Sequence, residues 1–379
     1  MQLLYSDHAS RKVNGQAVLQ AIVAANAPVS RAELARNLGL SKQTLSEIMG
    51  LLEQARWIQS VGRKQGALGR AAVSYELNPQ VCYVAGVLFE GEQYAIGLAD
   101  MQGKLRIKKE GRLSAKAQTD AASLGDSIIS LVQGLLHDTG IEVSLLRHLV
   151  IGAPGIVDQV SLQVHHSPNL PALQGLDLRK TLASAFDCPV QVDNDLNLHA
   201  YGEYRFGCSQ KTHSSVFLGL GSGIGMGIML GSQIWRGSRG GAGEIAFMPV
   251  DRCAQAPGAR LHGALEYSLL GATDSAEING ATATLRELDR VARDCAFAIA
   301  CIAPVLDPEI VILGGARGDD PALHAALVPW LDMFCAEKIN VRRSALGADA
   351  GLLGATALGV KACQDQLFLQ APDSSVPGP

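Results

Sequence analysis

The chain has 379 residues, 47% hydrophobic and 18% charged, with a formal net charge of −4. Those values exclude a disordered chain, and the length allows two or three domains with a sizeable core. Its eight cysteines include no C-x-x-C pair, which fits a reducing cytoplasm and argues against a disulfide framework. No basic segment followed by an apolar one opens the chain, so a cytoplasmic protein without membrane spans is expected. Charge is uneven: residues 1–80 hold nine Lys/Arg and five Asp/Glu, the rest 23 and 31. A basic head on an acidic body suits an N-terminal nucleic-acid module.

Residues 1–13 read as a loose arm. Asn14 caps a first helix whose apolar face is Val18, Leu19, Ile22 and Val23, and Asn26-Ala27-Pro28 ends it. Ser30 and Glu33 form a capping box for a second helix, and Gly39 permits the left-handed turn after it. Ser41 caps a third helix in which Leu45, Ile48, Met49 and Leu52 face inward. Lys42, Gln43, Thr44, Ser46 and Glu47 are left on or near the outward side, where such side chains read base edges in a major groove. Residues 57–61 and 71–77 are expected as wing strands, with Val73, Tyr75 and Leu77 turned inward. The tip between them, with Arg63, Lys64, Gly69 and Arg70, suits phosphates or the minor groove. Three helices, a glycine turn and a hairpin make a winged helix-turn-helix over residues 1–78. Its candidate DNA-binding residues are Arg31, Ser41, Lys42, Gln43, Thr44, Ser46, Arg63, Lys64, Gly69 and Arg70.

Beyond a linker at Asn78-Pro79, strands are expected at 81–88, 94–99, 105–110, 149–151 and 190–192, with a helix at 123–137 and another near 178–186. The strand at 190–192 delivers Asp193-Asn194-Asp195, and a helix follows at 197–206. The stretch 214–235 carries no formal charge and would pass for a membrane span. Glycine at every second position from Gly219 to Gly227 is instead the period of a strand. Strands at 216–220 and 226–230 are expected around a turn at Ser222-Gly223-Ile224-Gly225. Gly240-Gly241-Ala242-Gly243 then leads to Glu244. On the glycines alone, a buried hairpin explains the run as well as a ligand loop does. A long helix at 285–305, a strand at 310–313, a closing helix at 352–361 and a disordered end at 371–379 complete the reading.

Residues 216–250, and more broadly 14–360, resemble the ROK family (repressors, open reading frames and sugar kinases). The segment SRAELARNLGLSKQTLSEIMGLLEQARWI resembles the operator-reading domain of its repressors, although Gly69-Arg70-Ala71 lacks the proline usual at the wing tip. The resemblance implies a winged helix-turn-helix followed by an α/β, two-lobed actin/hexokinase-like body. Residues 79–195 with the closing helix 352–363 would form the first lobe, 196–351 the second, and 364–379 a tail. It also implies a sugar-type effector held by Asn169, Asn194, Asp195, Glu244 and Glu266. The family's kinases use the aspartate matching Asp195 as general base; here it is expected to be an ionised acceptor of ligand hydrogen bonds.

Three departures separate this sequence from those kinases. Leu88 stands where a strand-end aspartate handles Mg-ATP, and Glu90 and Glu92 follow, two carboxylates expected to repel a triphosphate. Phe247 replaces the histidine after Glu244. Pro257, Ala259 and Ala264 replace three cysteines, so the family's structural zinc, which needs four N/S ligands, is not expected. The sequence therefore reads as a non-enzymatic, cofactor-free, dimeric repressor of a carbohydrate operon that binds double-stranded operator DNA. Two alternatives remain open: a sugar kinase with a DNA-binding head, and a regulator whose body binds a protein partner.

Overall fold

The computed structural model describes residues 2–25, 27–65, 71–249, 263–270 and 285–369. Helix α1 spans Gln2–Ala24, so it starts well before the expected cap at Asn14. Neither proline nor glycine interrupts residues 2–13, so nothing stops the helix from propagating backward. Helix α2 (Arg31–Leu38) is closed by the expected capping box: Glu33 N–H donates to Ser30 Oγ at 3.3 Å, and Ser30 N–H to Glu33 Oε2 at 2.8 Å. It ends at Gly39 with φ 65°. Helix α3 (Lys42–Gln54) is capped by Ser41 and buries Leu45, Ile48, Met49 and Leu52. Strands β1 (Val29–Ser30), β2 (Ile58–Gln65) and β3 (Ala71–Leu77) form a sheet of order β1-β3-β2. Tyr75 and Leu77 are buried as expected, but Val73 is not. It pairs with Arg63 beyond an irregularity in the β2–β3 ladder, where the helical core does not reach.

The first lobe is a sheet of order β10-β7-β4-β5-β6. Strands β4 (Tyr83–Glu90), β5 (Gln93–Asp100) and β6 (Leu105–Arg112) form an antiparallel meander. Helix α4 (Ala121–Thr139) leads to β7 (Leu146–Ala153), which pairs in parallel with β4. A small ribbon, β8 (Ile156–Val157) with β9 (Val164–His165), and helix α5 (Leu178–Ala183) precede β10 (Val190–Asn194), parallel to β7. Helix α6 (Asp195–Phe206) crosses to the second lobe, whose sheet has order β13-β12-β11-β14-β15. Its meander is β11 (Ser214–Leu220), β12 (Ile224–Leu230) and β13 (Gln233–Ile234). The turn between β11 and β12 is Gly221-Ser222-Gly223, closed by Gly221 N–H to Gly223 O at 3.1 Å. Gly225, expected in that turn, pairs with Gly219 inside the ladder instead. Helices α7 (Ala264–Leu270) and α8 (Leu285–Leu306), strand β14 (Ile310–Gly314), helix α9 (Pro321–Phe334) and strand β15 (Val341–Arg343) complete this lobe.

The last helix, α10 (Ala350–Leu369), returns to the first sheet: a Cβ on Gly86 of β4 would lie 3.0–3.3 Å from Thr356, Ala355 and Leu352. One core continues from the amino-terminal helices into this lobe, joining Leu19, Met49 and Tyr75 to Val84, Met101 and Val360. Among the described residues, no helix is long and apolar enough to cross a membrane.

Candidate functional site

Packing on glycine places the key helix. The first turn of α6 lies on the β11–β12 hairpin, and a Cβ on Gly227 would stand 2.2 Å from Leu196 O, so only a bare backbone fits there. That contact holds the amino terminus of α6, and with it Asp195, at the mouth of a cleft of about 430 Å³ between the lobes. Gly243, at φ 96°, brings its own backbone against Met226 O and turns the chain so that Glu244 enters the same cleft. All five residues expected to meet an effector, Asn169, Asn194, Asp195, Glu244 and Glu266, line it.

Their roles differ. Asn194 is the cap of α6: its Oδ1 accepts from Leu196 N–H at 2.9 Å and Asn197 N–H at 3.2 Å, and its Nδ2 donates to Gly155 O at 3.1 Å. Glu266 Oε2 accepts from Ile224 N–H at 3.0 Å, which pins α7 to the end of the hairpin turn. Asn169 Nδ2 lies 3.2 Å from where a Cβ on Gly223 would stand, and Glu266 Oε2 3.4 Å from it, so both reach the same turn from opposite lobes.

The carboxyl groups hold protons unusually well. Burial, then the nearby Glu90 and Glu244, push Asp195 up to about 8 from its ordinary 3.8. A helix amino terminus favours the ionised form by only about 0.3–1 kcal/mol, less than the roughly 1.4 kcal/mol of one pKa step. Burial and like charge therefore win. Burial and then Glu266 raise Glu244 to about 7, and burial raises Glu266 to about 7 against the opposing bond from Ile224. Against the expectation of an ionised Asp195, burial and like charge push its carboxyl toward the protonated form, which can donate as well as accept.

Sequence reasoning singled out Glu90, Leu88 and Phe247 but missed His166, His199 and the Asp193–Arg236 pair. Glu90 enters the cleft, its Oε1 2.7 Å from where a Cβ on Gly221 would stand, but Glu92 faces away and pairs with Arg112 at 3.0 Å. Only one of the two expected repelling carboxylates is therefore present. Leu88, expected to stand in place of the kinase aspartate, is buried among Val150, Leu198 and Ala355. His199 Nδ1 lies 2.9 Å from Asp195 O, and burial lowers its pKa. Phe247 meets His166 edge-on at 5.0 Å, giving the cleft one aromatic edge made from both lobes. Of the expected zinc-loop positions, Phe247 and Ala264 are described, whereas Pro257 and Ala259 lie outside the described residues. The lobes are also tied directly: buried Asp193 accepts from Arg236 Nε at 3.0 Å, Asn197 Nδ2 at 3.0 Å and Asn194 N–H at 3.0 Å.

A second surface lies on α3, where Lys42, Gln43, Ser46 and Glu47 are exposed and Thr44 is half-buried. Ser41 serves as cap, its Oγ accepting from Thr44 N–H at 3.1 Å, with the Thr44 hydroxyl 2.8 Å away. Arg31 is committed to the fold: its Nη2 donates to Glu53 at 2.9 Å and its guanidinium lies 4.9 Å over Tyr75. Arg63 and Lys64 belong to the β2 backbone, while Gly69 and Arg70 lie outside the described residues.

Fold and cleft define a sugar-kinase-like body, and the sequence matches the ROK family over residues 84–362. The chain belongs to the ROK family and has its actin/hexokinase-like α/β fold. It is 27% identical to the xylose repressor of Bacillus spizizenii over 242 residues, 64% of this chain and 61% of that protein. The chain thus spans less than two thirds of the curated repressors it matches. The crystal structure of a ROK family transcriptional regulator, a homologue of the E. coli MLC protein, is similar with TM-score 0.74, 19% identity, and 96% and 99% of the two chains covered. A ROK hexokinase from Thermus thermophilus is similar with TM-score 0.62, 26% identity, and 75% and 99% covered.

Proposed function

We propose that this chain is a DNA-binding repressor of carbohydrate-use genes, acting in the cytoplasm as a dimer whose operator affinity responds to a sugar or sugar derivative in the cleft. The observation that carries it is helix α3, sealed to the core by Leu45, Ile48, Met49 and Leu52 while Lys42, Gln43 and Ser46 are exposed. With residues 1–78 as a winged helix-turn-helix, α3 enters the major groove and β2–β3 is the wing. The names of the related repressors support the same reading.

Asn169, Asp195, Glu244 and Glu266 serve as effector contacts, with Asn194 holding Asp195 in place. Carboxyl groups that exchange protons near neutral pH, together with amides, both donate and accept, which suits hydroxyl groups. The body is not a phosphotransferase in this reading, because Leu88 supplies no metal-facing carboxylate and Glu90 presents a carboxyl to the glycine turn. Helix α6 links effector to head: Asp195 is at one end, and at the other Phe206 lines a second cavity with Ile22, Leu77, Met101, Val360 and Gln364. Closure about a ligand would move that strut, and a change of about 2.7 kcal/mol between states alters DNA binding roughly 100-fold.

The test begins with duplexes selected by the protein from a random pool. Gln43→Ala should relax preference at one base position, at a cost of about 1–3 kcal/mol. Calorimetry against a sugar panel, without ATP, then identifies the effector. Sugar-dependent ATP consumption, or selection that yields no sequence preference, would defeat the proposal.

A further inference from the structure

The second cavity, of about 310 Å³, opens where the amino-terminal unit, the first lobe and the end of α6 meet. That volume lies within the roughly 300–1,000 Å³ typical of small-molecule sites. Its lining is apolar at Ile22 of α1, Leu77 of β3, Met101 after β5 and Val360 of α10, all buried, and at Phe206 of α6. Two opposite charges line the same cavity. Glu76 comes from the amino-terminal sheet and Arg205 from α6. Glu76 Oε1 accepts from Gln59 Nε2 at 2.8 Å, and Arg205 lies 6.0 Å from the Tyr201 ring with Nη1 donating to Tyr201 Oη at a long 3.5 Å. Neither has an ion pair among the described residues, so the two charges share a cavity without neutralising each other. Two amides complete the polar lining. Gln102 Nε2 donates to Leu77 O at 3.3 Å and Gln364 Nε2 to Met101 O at 3.1 Å, which leaves both side-chain carbonyl oxygens to accept.

Charge and shape together select the ligand. A guanidinium is a fork suited to a carboxylate, while a carboxylate and amide oxygens suit an ammonium. An apolar anion would satisfy Arg205 but meet Glu76 as a like charge, and an apolar cation would meet the reverse conflict. A molecule with both charges and an apolar body answers every group in the lining. We propose that this cavity binds such a zwitterion, with the chemistry of an apolar amino acid such as leucine, methionine or phenylalanine. Its walls come from α1 and β3 on one side and from α6 and α10 on the other. The ligand therefore binds best when the amino-terminal unit sits against the body as it does here, and it favours that arrangement over others. The cavity is thus a second effector site, distinct from the cleft between the lobes and joined to it by α6. It requires neither a sugar nor DNA, so the proposal would stand if the repressor reading failed.

Calorimetric titration of the full chain with leucine, methionine and phenylalanine tests it. At least one should bind with a Kd of about 1 mM or tighter. The matching 2-oxo acid, which lacks the ammonium, and the matching amine, which lacks the carboxylate, should each bind at least about tenfold more weakly. Arg205→Gln and Glu76→Gln should each weaken the amino acid by a similar factor, and Ala27→Trp, at an exposed position on the cavity wall, should block it. Hydrogen exchange with the amino acid present should slow in α1, β3 and the end of α6. No binding by any of the three, equal binding of the 2-oxo acid, charge variants that bind like wild type, or protection confined to the cleft between the lobes would overturn the proposal. If Ala27→Trp fails to fold, the two charge variants and the exchange pattern decide.

Discussion

Both lobes trace one path, an antiparallel meander followed by two parallel strands, yet their first hairpins end in opposite chemistry. The β4–β5 turn offers Glu90-Gly91-Glu92, and the β11–β12 turn offers Gly221-Ser222-Gly223. They face each other across the cleft, where Glu90 occupies the space that a side chain on Gly221 would need. Topology thus decides that two turns meet, and side chains decide what can sit between them. A bare backbone turn suits an anion, but a carboxyl group held against it does not. The same contrast recurs outside, where α4 exposes Asp126, Gln133 and His137 while α8 exposes Phe297 and Val305.

The sharpest way to break the comparison is to cut the bond between the lobes. Asp193 is fully buried and Arg236 is its cation, so Asp193→Ala leaves the guanidinium without its carboxylate. Removing one partner of a buried pair costs about 3–5 kcal/mol, and urea denaturation should show that loss. A cost below about 1 kcal/mol would mean that the pair behaves as a surface ion pair and does not tie the lobes. A smaller effect separates the two sheets. Gly227→Ala drives a methyl group to 2.2 Å from Leu196 O, whereas Gly97→Ala on β5 meets its nearest neighbour, a Leu105 methyl, at 3.0 Å. Overpacking costs about 1–3 kcal/mol, with Gly227 at the upper end and Gly97 at the lower. Equal melting shifts in the two variants would remove the distinction.

How much of this was legible depends on distance along the chain. The Ser30–Glu33 box, the Gly39 turn and the inner face of α3 are encoded within a few residues, and each forms as read. The β11–β12 hairpin was legible because strand period survives in a glycine-rich run. The start of α1 was not, since no breaker precedes Asn14. The Asp193–Arg236 pair joins residues 43 positions apart, and nothing local to either announces it. Glu90 and Glu92 flank one glycine, and alternation does not say which enters the cleft. The effector set came from family resemblance, because Asn169 and Glu266 approach one another only through the fold.

The smallest prediction concerns how the first-lobe turn sets the proton affinity of Asp195. Its carboxyl titrates in the folded chain at about 8, against an ordinary 3.8, with burial the leading cause and Glu90 the next. A group raised in this way contributes stability that is complete below its unfolded value and is lost as pH rises through its folded value. Stability from Asp195 is therefore present near pH 4 and disappears toward pH 8 and above. Glu90→Gln removes the second cause without changing shape, so Asp195 should ionise at lower pH and with less penalty. At pH 5, where Asp195 is neutral, its repulsion by Glu90 is absent, and variant and wild type should differ little on this account. At pH 9 the variant should be favoured by a margin on the order of 1 kcal/mol, the worth of about one pKa step removed from Asp195. Urea titrations of both proteins at the two pH values measure the margin, and general alkaline destabilisation cancels in the difference. A margin that is the same at pH 5 and pH 9 would show that Glu90 does not act on Asp195, and the contrast between the two hairpins would lose its electrostatic content.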